Sequence, residues 1–321
     1  MRRMISALGL ALLSPLIAEF LLGDFPITHL FYLVLLAPTY GGATVLIRET
    51  ARRAGLGWPG IVLMALAYGV LEEGIMTMSL FNPNFAGMRL LDSGYVPALG
   101  IGVPWTLFVL GLHTVWSVSV PIALAEELAG EERTTPWLGR VGLAVAAVLA
   151  VLGAAVTTYG THQDNSFIAS VPQLVSVVVI VIALVVLAFR MPRRTIRADR
   201  QAPSPWLVFG VTLVAGVVFE ITLVVTVPTP LWLTLLTLVA SEAGMAVLAL
   251  TWSARQGWDG RHRMALAGGA LLTYVWHTFF THPMVAATPA VNLISHLVFG
   301  LGAALLLVLA ARRAWKRATA S

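Results

Sequence analysis

Cysteine is absent from this chain, so disulfides, thiolate metal ligands and thiol nucleophiles are excluded at the outset. Charge is scarce as well. Asp, Glu, Lys and Arg make up 11% of the 321 residues, against about 25% in ordinary globular domains. Blocks of about ten residues with alternating polarity, the mark of an outer-membrane barrel, are missing too. What fills the sequence is apolar: 58% of residues are hydrophobic and mean hydropathy is +0.87. Runs of about 20 apolar residues recur along the chain, each long enough to cross a bilayer as a helix. The expected fold class is therefore all-α, a polytopic transmembrane helix bundle whose constant partner is the lipid bilayer.

Hydropathy places ten spans near 5–22, 28–48, 59–80, 101–125, 138–159, 171–190, 205–227, 230–253, 262–281 and 288–311. The basic start of MRRMISALGLALLSPLIAEF suggests a signal peptide, but no small-residue cleavage site follows, and it reads as an uncleaved first helix. The net charge of +5 does not point to nucleic acid, because the arginines lie in short clusters between apolar runs. With the N-terminus inside, 19 of the 20 basic residues fall on one side and only Arg89 is left outside. Ten spans in the cytoplasmic membrane, with both termini cytoplasmic, satisfy that asymmetry. Trp58, Trp137 and Trp258 at span ends read as interface residues, and Arg48 with Glu49 reads as a snorkelling anchor and its partner.

The stretch Gly57–Pro83 reads as the first of two copies. Gly57, Trp58, Gly60, Met64, Ala65, Leu66, Ala67 and Gly69 each recur 200 positions later, eight matches in thirteen positions. The expected organisation is a first membrane repeat (1–128), two inserted helices with a basic linker (129–204) and a second repeat (205–321). Helices 1–4 then match helices 7–10 as parallel repeats, because both copies run outward. Past the shared scaffold the copies diverge, with Glu72, Glu73 and Thr77 set against Leu272, Thr273 and His277.

An ionisable side chain in hydrocarbon costs several kcal/mol unless it is neutralised or paired, so each one needs a reason. Glu19, Glu72, Glu73, His113, Glu220, Glu242, His277, Asn292 and His296 lie inside predicted spans. His29, His162, Asp164 and His282 continue the set into the outer loops, which suggests an outward-opening polar cavity. Glu73 shares a helical stripe with Thr77, whereas Glu72 lies about 100° round, so the two acids need not meet the same partner. Adjacent acids raise each other's pKa, which favours a functional role for that pair. For Glu19, Glu220 and Glu242 taken singly, plain interhelical hydrogen bonding is the expected role.

Two imidazoles and a carboxylate suit a divalent metal such as zinc, whose open position lowers the pKa of a bound water. Glu72 or Glu73 with His113 and either His296 or His277 supplies such a set, the second glutamate serving as general base. Thr77, Asn292, Glu220, Glu242 and His282 complete the expected polar cavity.

The order Glu72-Glu73, then His113, then a His/Asn helix resembles the CPBP intramembrane metalloproteases, the CAAX-protease and bacteriocin-processing group. In that family the motifs are EExxxR, FxxxH and HxxxN, around a catalytic metal centre. Here Thr77 occupies the arginine position, Phe108 is one residue too far from His113, and the last motif runs as Asn292-x-x-x-His296. The chain also resembles an uncharacterised group of actinobacterial multi-pass proteins. Three functions are therefore weighed. The first is a membrane-embedded, protease-like metal-dependent hydrolase acting on a peptide or lipid-linked substrate. The second is a proton-coupled transporter or permease using Glu73, Glu242 and His277. The third is a non-catalytic scaffold or sensor whose outer histidines respond to pH.

Overall fold

The computed structural model describes residues 1–191, 198–224, 229–281 and 283–320. Among them, nine helices are long and apolar enough to cross a membrane: α1 (Arg2–Leu21), α2 (Ile27–Arg53), α3 (Trp58–Met76), α4 (Val103–Thr134), α5 (Arg140–Asp164), α6 (Val171–Arg190), α7 (Pro205–Leu223), α8 (Leu231–Ser253) and α10 (Pro289–Thr319). Between the last two lies α9 (Gly260–His277), the ninth of the ten expected spans. It falls short of the others in apolarity because Arg261, His262 and Arg263 occupy its first turn and His277 its last. The all-α polytopic bundle is the architecture observed. Extended structure is confined to a hairpin of β1 (Tyr95–Val96) and β2 (Ile101–Gly102), and to β3 (Ala198–Gln201) beside β4 (Arg255–Gln256). Residues 192–197 of the expected linker lie outside the described part.

Burial separates the helices into two kinds. α3 and α9 are interior, with Ile61, Ala65, Leu271 and Tyr274 at 0% exposure. α5 and α6 turn most of their valines and leucines outward, as a lipid-facing surface does. α3 packs on α6 and α4, while α9 packs on α7, α10 and α4. Small residues permit the closest crossings: a Cβ at Gly269 would stand 2.9 Å from the Phe209 carbonyl oxygen of α7. The two Gly-Trp starts are also built differently. Pro59 opens α3, whereas the Asp259 side chain accepts from the Arg261 amide at 2.9 Å and caps α9. Burial raises the Asp259 carboxyl, but hydrogen bonds from Arg261 and His262 outweigh it and hold it below its ordinary range.

The arginine-rich end of the bundle corrects two expectations. Arg48 is 0% exposed, so it does not snorkel to an interface. Its guanidinium meets Glu49 at 2.6 Å, Glu126 at 3.1 Å and the Arg133 carbonyl at 2.6 Å. Trp137, 4% exposed, is likewise no interface residue. Its ring lies 3.4 Å below the Arg48 guanidinium, and its amide donates to Glu49. Arg52 grips Glu126 through two bonds of 2.6 Å, while Glu127 receives Arg263 at 2.7 Å and also Arg317. This network clamps α2, α4, α9 and α10 together, and each buried charge in it has a partner.

Candidate metal centre

Four helices of the first half abandon regular α geometry over one turn each. π-helical turns span Leu16–Leu21 in α1, Ala37–Gly41 in α2, Glu72–Met76 in α3 and His113–Ser119 in α4. Each turn carries a polar side chain of one cluster: Glu19, Tyr40, Glu72 with Glu73, and His113. A π turn inserts a residue and re-aims the side chains around it, and such turns are frequent at functional sites. The local sequence permits them. Pro15 and Pro38 remove backbone donors, and Gly74 leaves room where a Cβ would meet Val177 Cγ2 at 2.5 Å.

Helical phasing leaves open whether the two acids share a partner, and at the wider turn Glu72–Met76 they do. His113 Nε2 lies 2.8 Å from Glu73 Oε1, and His113 Nδ1 lies 3.2 Å from Glu72 Oε2. The same Nδ1 is 3.1 Å from Ser117 Oγ on its own helix. All three residues are buried, at 1%, 5% and 5% exposure for Glu72, Glu73 and His113. Counting one ligand atom from each, the three atoms lie within 4.8 Å of one another, a spacing able to hold a metal ion.

Glu73 is held by more than the imidazole. Thr77 Oγ1 donates to Glu73 Oε2 at 3.0 Å, and Ser79 Oγ donates to the same oxygen. Ser79 is aimed back by the chain reversal that follows α3, where Met78 adopts a left-handed φ of 56°. That backbone costs of order 1–3 kcal/mol for a non-glycine residue. Trp105 Nε1 then donates to Ser79 Oγ at 3.2 Å. Tyr40 and Tyr68 flank the imidazole, with ring centroids 6.1 and 6.3 Å from His113. Both tyrosines also stand beside Glu72, and Tyr40 beside Glu19.

Two atoms in this well-bonded group are left over. Glu72 Oε2 and the Tyr68 hydroxyl are buried without a well-aligned hydrogen bond, Glu72 Oε2 having only the 3.2 Å ionic contact with His113 Nδ1. A buried polar atom with no partner costs about 1–3 kcal/mol and marks a place for a ligand, an ion or a water. Between α1 and α2, burial pushes the Asp24 carboxyl well above its usual range, and neighbouring Glu19 pushes the same way.

The other expected site residues stand elsewhere. His277 Nε2 lies 3.4 Å from Glu220 Oε2. The His296 ring packs edge-on to Phe279, 5.1 Å away. Neither joins the group, so a set of two imidazoles and a carboxylate is not formed among the described residues. A Cβ at Gly111 would stand 2.1 Å from Glu242 Oε1, which has no hydrogen-bond partner. Asn292 is half-buried on α10, and His282 lies outside the described residues. Tyr40, Tyr68 and Ser79 were not singled out from sequence as site residues. Pro38 and Gly41-Gly42 are the one local signal near Tyr40, since they mark a disturbed helix.

A family model described as an uncharacterized membrane protein family matches residues 8–316. No curated protein and no solved structure matches the chain. The resemblance to the CPBP enzymes gains no support from these comparisons and stays with the Glu-Glu and His spacing.

Proposed function

The chain belongs to this uncharacterized membrane protein family, and from that premise we propose that it is a metal-dependent hydrolase working inside the bilayer. Glu72, Glu73 and His113 would hold its ion, with zinc as one fitting choice, and its substrate is a peptide or lipid-linked molecule entering from the membrane. The observation that carries this reading is the convergence of three buried ligand atoms within 4.8 Å of one another. In this proposal both acids are ligands, and His296 and His277 leave the set.

Glu72, Glu73 and His113 would hold the ion, and an ion held there would supply Lewis-acid activation of water and of the substrate's carbonyl or phosphoryl group. Glu19, placed beside Tyr40, would accept the proton of the attacking water and return it to the leaving group as the scissile bond breaks, so that no net proton is lost.

Depth agrees with a membrane substrate. Glu72 is 14 residues beyond Trp58, about 21 Å along α3, past the middle of the bilayer as counted from the arginine-rich end. With that end cytoplasmic, as the positive-inside rule expects, the centre would lie in the outer half of the membrane.

The test is hydrolysis of bilayer-embedded reporter peptides and lipid-linked esters by the full chain reconstituted in nanodiscs. Turnover that requires a divalent ion and disappears with a chelator or with Glu73→Gln is the expected result. Turnover that persists under chelation, or no turnover of any reporter with any divalent ion, overturns the assignment.

A further inference from the structure

A second meeting of acid and imidazole lies between α7 and α9, away from the group just described. Glu220 is 0% exposed, and neither of its carboxylate oxygens accepts a hydrogen bond. His277, 4% exposed, brings Nε2 to 3.4 Å from Glu220 Oε2. Tyr274, about one turn earlier on α9, is 0% exposed and its hydroxyl also lacks a partner. Its ring stacks on Trp116 of α4 at 4.8 Å, and Trp116 stacks in turn on Phe219, beside Glu220 in sequence. These rings fill the surroundings with apolar surface.

The charges facing the pair are few. α7 supplies Glu220 itself, and α9 supplies Tyr274 and His277. The end of α1 and the segment after it bring Glu19 and Asp24 within electrostatic reach of Tyr274. Glu242 of α8 rests against Gly111 of α4 instead, and His296 of α10 packs against Phe279. No arginine or lysine among the described residues forms an ion pair with Glu220; its one ionic neighbour is His277.

An ionised carboxylate with no donor in such a place would lose its hydration and gain nothing in return, at a cost of several kcal/mol. A shared proton removes that cost. It makes one oxygen a donor, and the imidazole nitrogen is the acceptor in reach. We propose that Glu220 and His277 form a proton-binding centre between α7 and α9, separate from the Glu72–Glu73–His113 group. The step is a transfer alone. The proton leaves the carboxyl oxygen for the imidazole nitrogen, and no heavy-atom bond changes.

The experiment is infrared difference spectroscopy across pH on the full chain in lipid, comparing wild type with Glu220→Gln, His277→Asn and Glu242→Gln. The amide in Glu220→Gln keeps the size and shape of the acid, which guards against a folding artefact, and metal content is measured on the same samples. The expected result is a protonated-carboxyl band that vanishes in Glu220→Gln and survives Glu242→Gln. Its pH midpoint is expected to move by about 1–3 units in His277→Asn. Bound metal is unchanged throughout, so failure here is distinguishable from failure of the metal centre. An infrared spectrum unaltered by Glu220→Gln, or a Glu220 band indifferent to His277→Asn, overturns the proposal.

Discussion

Glu73 and Glu220 are both buried carboxylates beside an imidazole on a neighbouring helix, yet their surroundings differ in kind. Glu73 accepts from Thr77 at 3.0 Å and also from Ser79, and stands 2.8 Å from His113. Glu220 accepts no hydrogen bond and stands 3.4 Å from His277. Donors stabilise the ionised acid that a metal needs as ligand, whereas their absence favours an acid that keeps its proton. Residue type alone therefore does not assign a role; the number of donors facing each oxygen does.

The largest expected effect tests that difference head on. Glu73→Leu strips a partner from His113, Thr77 and Ser79 and should cost about 3–5 kcal/mol. Glu220→Leu removes one longer contact, 3.4 Å to His277, and no hydrogen-bond donor, and should cost less, about 1–3 kcal/mol for the imidazole left unpaired. Thermal unfolding followed by tryptophan fluorescence compares the two, and equal destabilisation would erase the distinction drawn here. Next in size is Gly74→Ala, whose new Cβ would stand 2.5 Å from Val177 Cγ2. Overpacking against a stiff β-branched side chain should cost about 1–3 kcal/mol and disturb the π turn that aims both acids. Gly244→Ala, which meets nothing within 4 Å, is the matching control, expected within about 0.5 kcal/mol. If both changes behave alike, the π turn is not held by that packing.

These contrasts also show what the sequence could and could not reveal. All ten expected spans are helices among the described residues, nine of them apolar enough to cross a membrane, because a long apolar run has few other destinations than a bilayer. Glu72, Glu73 and His113 were legible for the same reason, as polar groups where hydrocarbon is expected. Their convergence was not. Regular helical phasing sends Glu72 and Glu73 about 100° apart, and the π turn that reunites them is a backbone choice imposed by packing. His296 was misjudged because hydropathy gives depth along a helix but not the direction in which a side chain faces. Arg48 and Trp137 were read as interface residues because nothing local showed that Glu126 of α4 would fold back over Arg48. Ser79 depends on the left-handed Met78, a conformation that methionine does not announce.

Smaller effects refine the first centre. Ser79→Ala removes a donor to an ionised Glu73 and should cost about 1.5–3 kcal/mol, with weaker metal binding in isothermal titration. An affinity left at the wild-type value would mean that Ser79 does not tune the ligand. Smallest of all is His296→Ala. It lies beside Phe279 and outside the ligand group, so stability should change by about 0.5 kcal/mol or less and metal content not at all. Loss of metal in that variant would bring the two-imidazole set back.

The most direct measurement is the metal content of purified wild type, Glu73→Gln and Glu220→Gln, each loaded with the same divalent ion and washed side by side. One tightly held ion per chain is expected in wild type and in Glu220→Gln, and almost none in Glu73→Gln. A wild type that retains no ion, or a Glu73→Gln protein that retains it in full, would contradict the claim that Glu72, Glu73 and His113 are a metal centre.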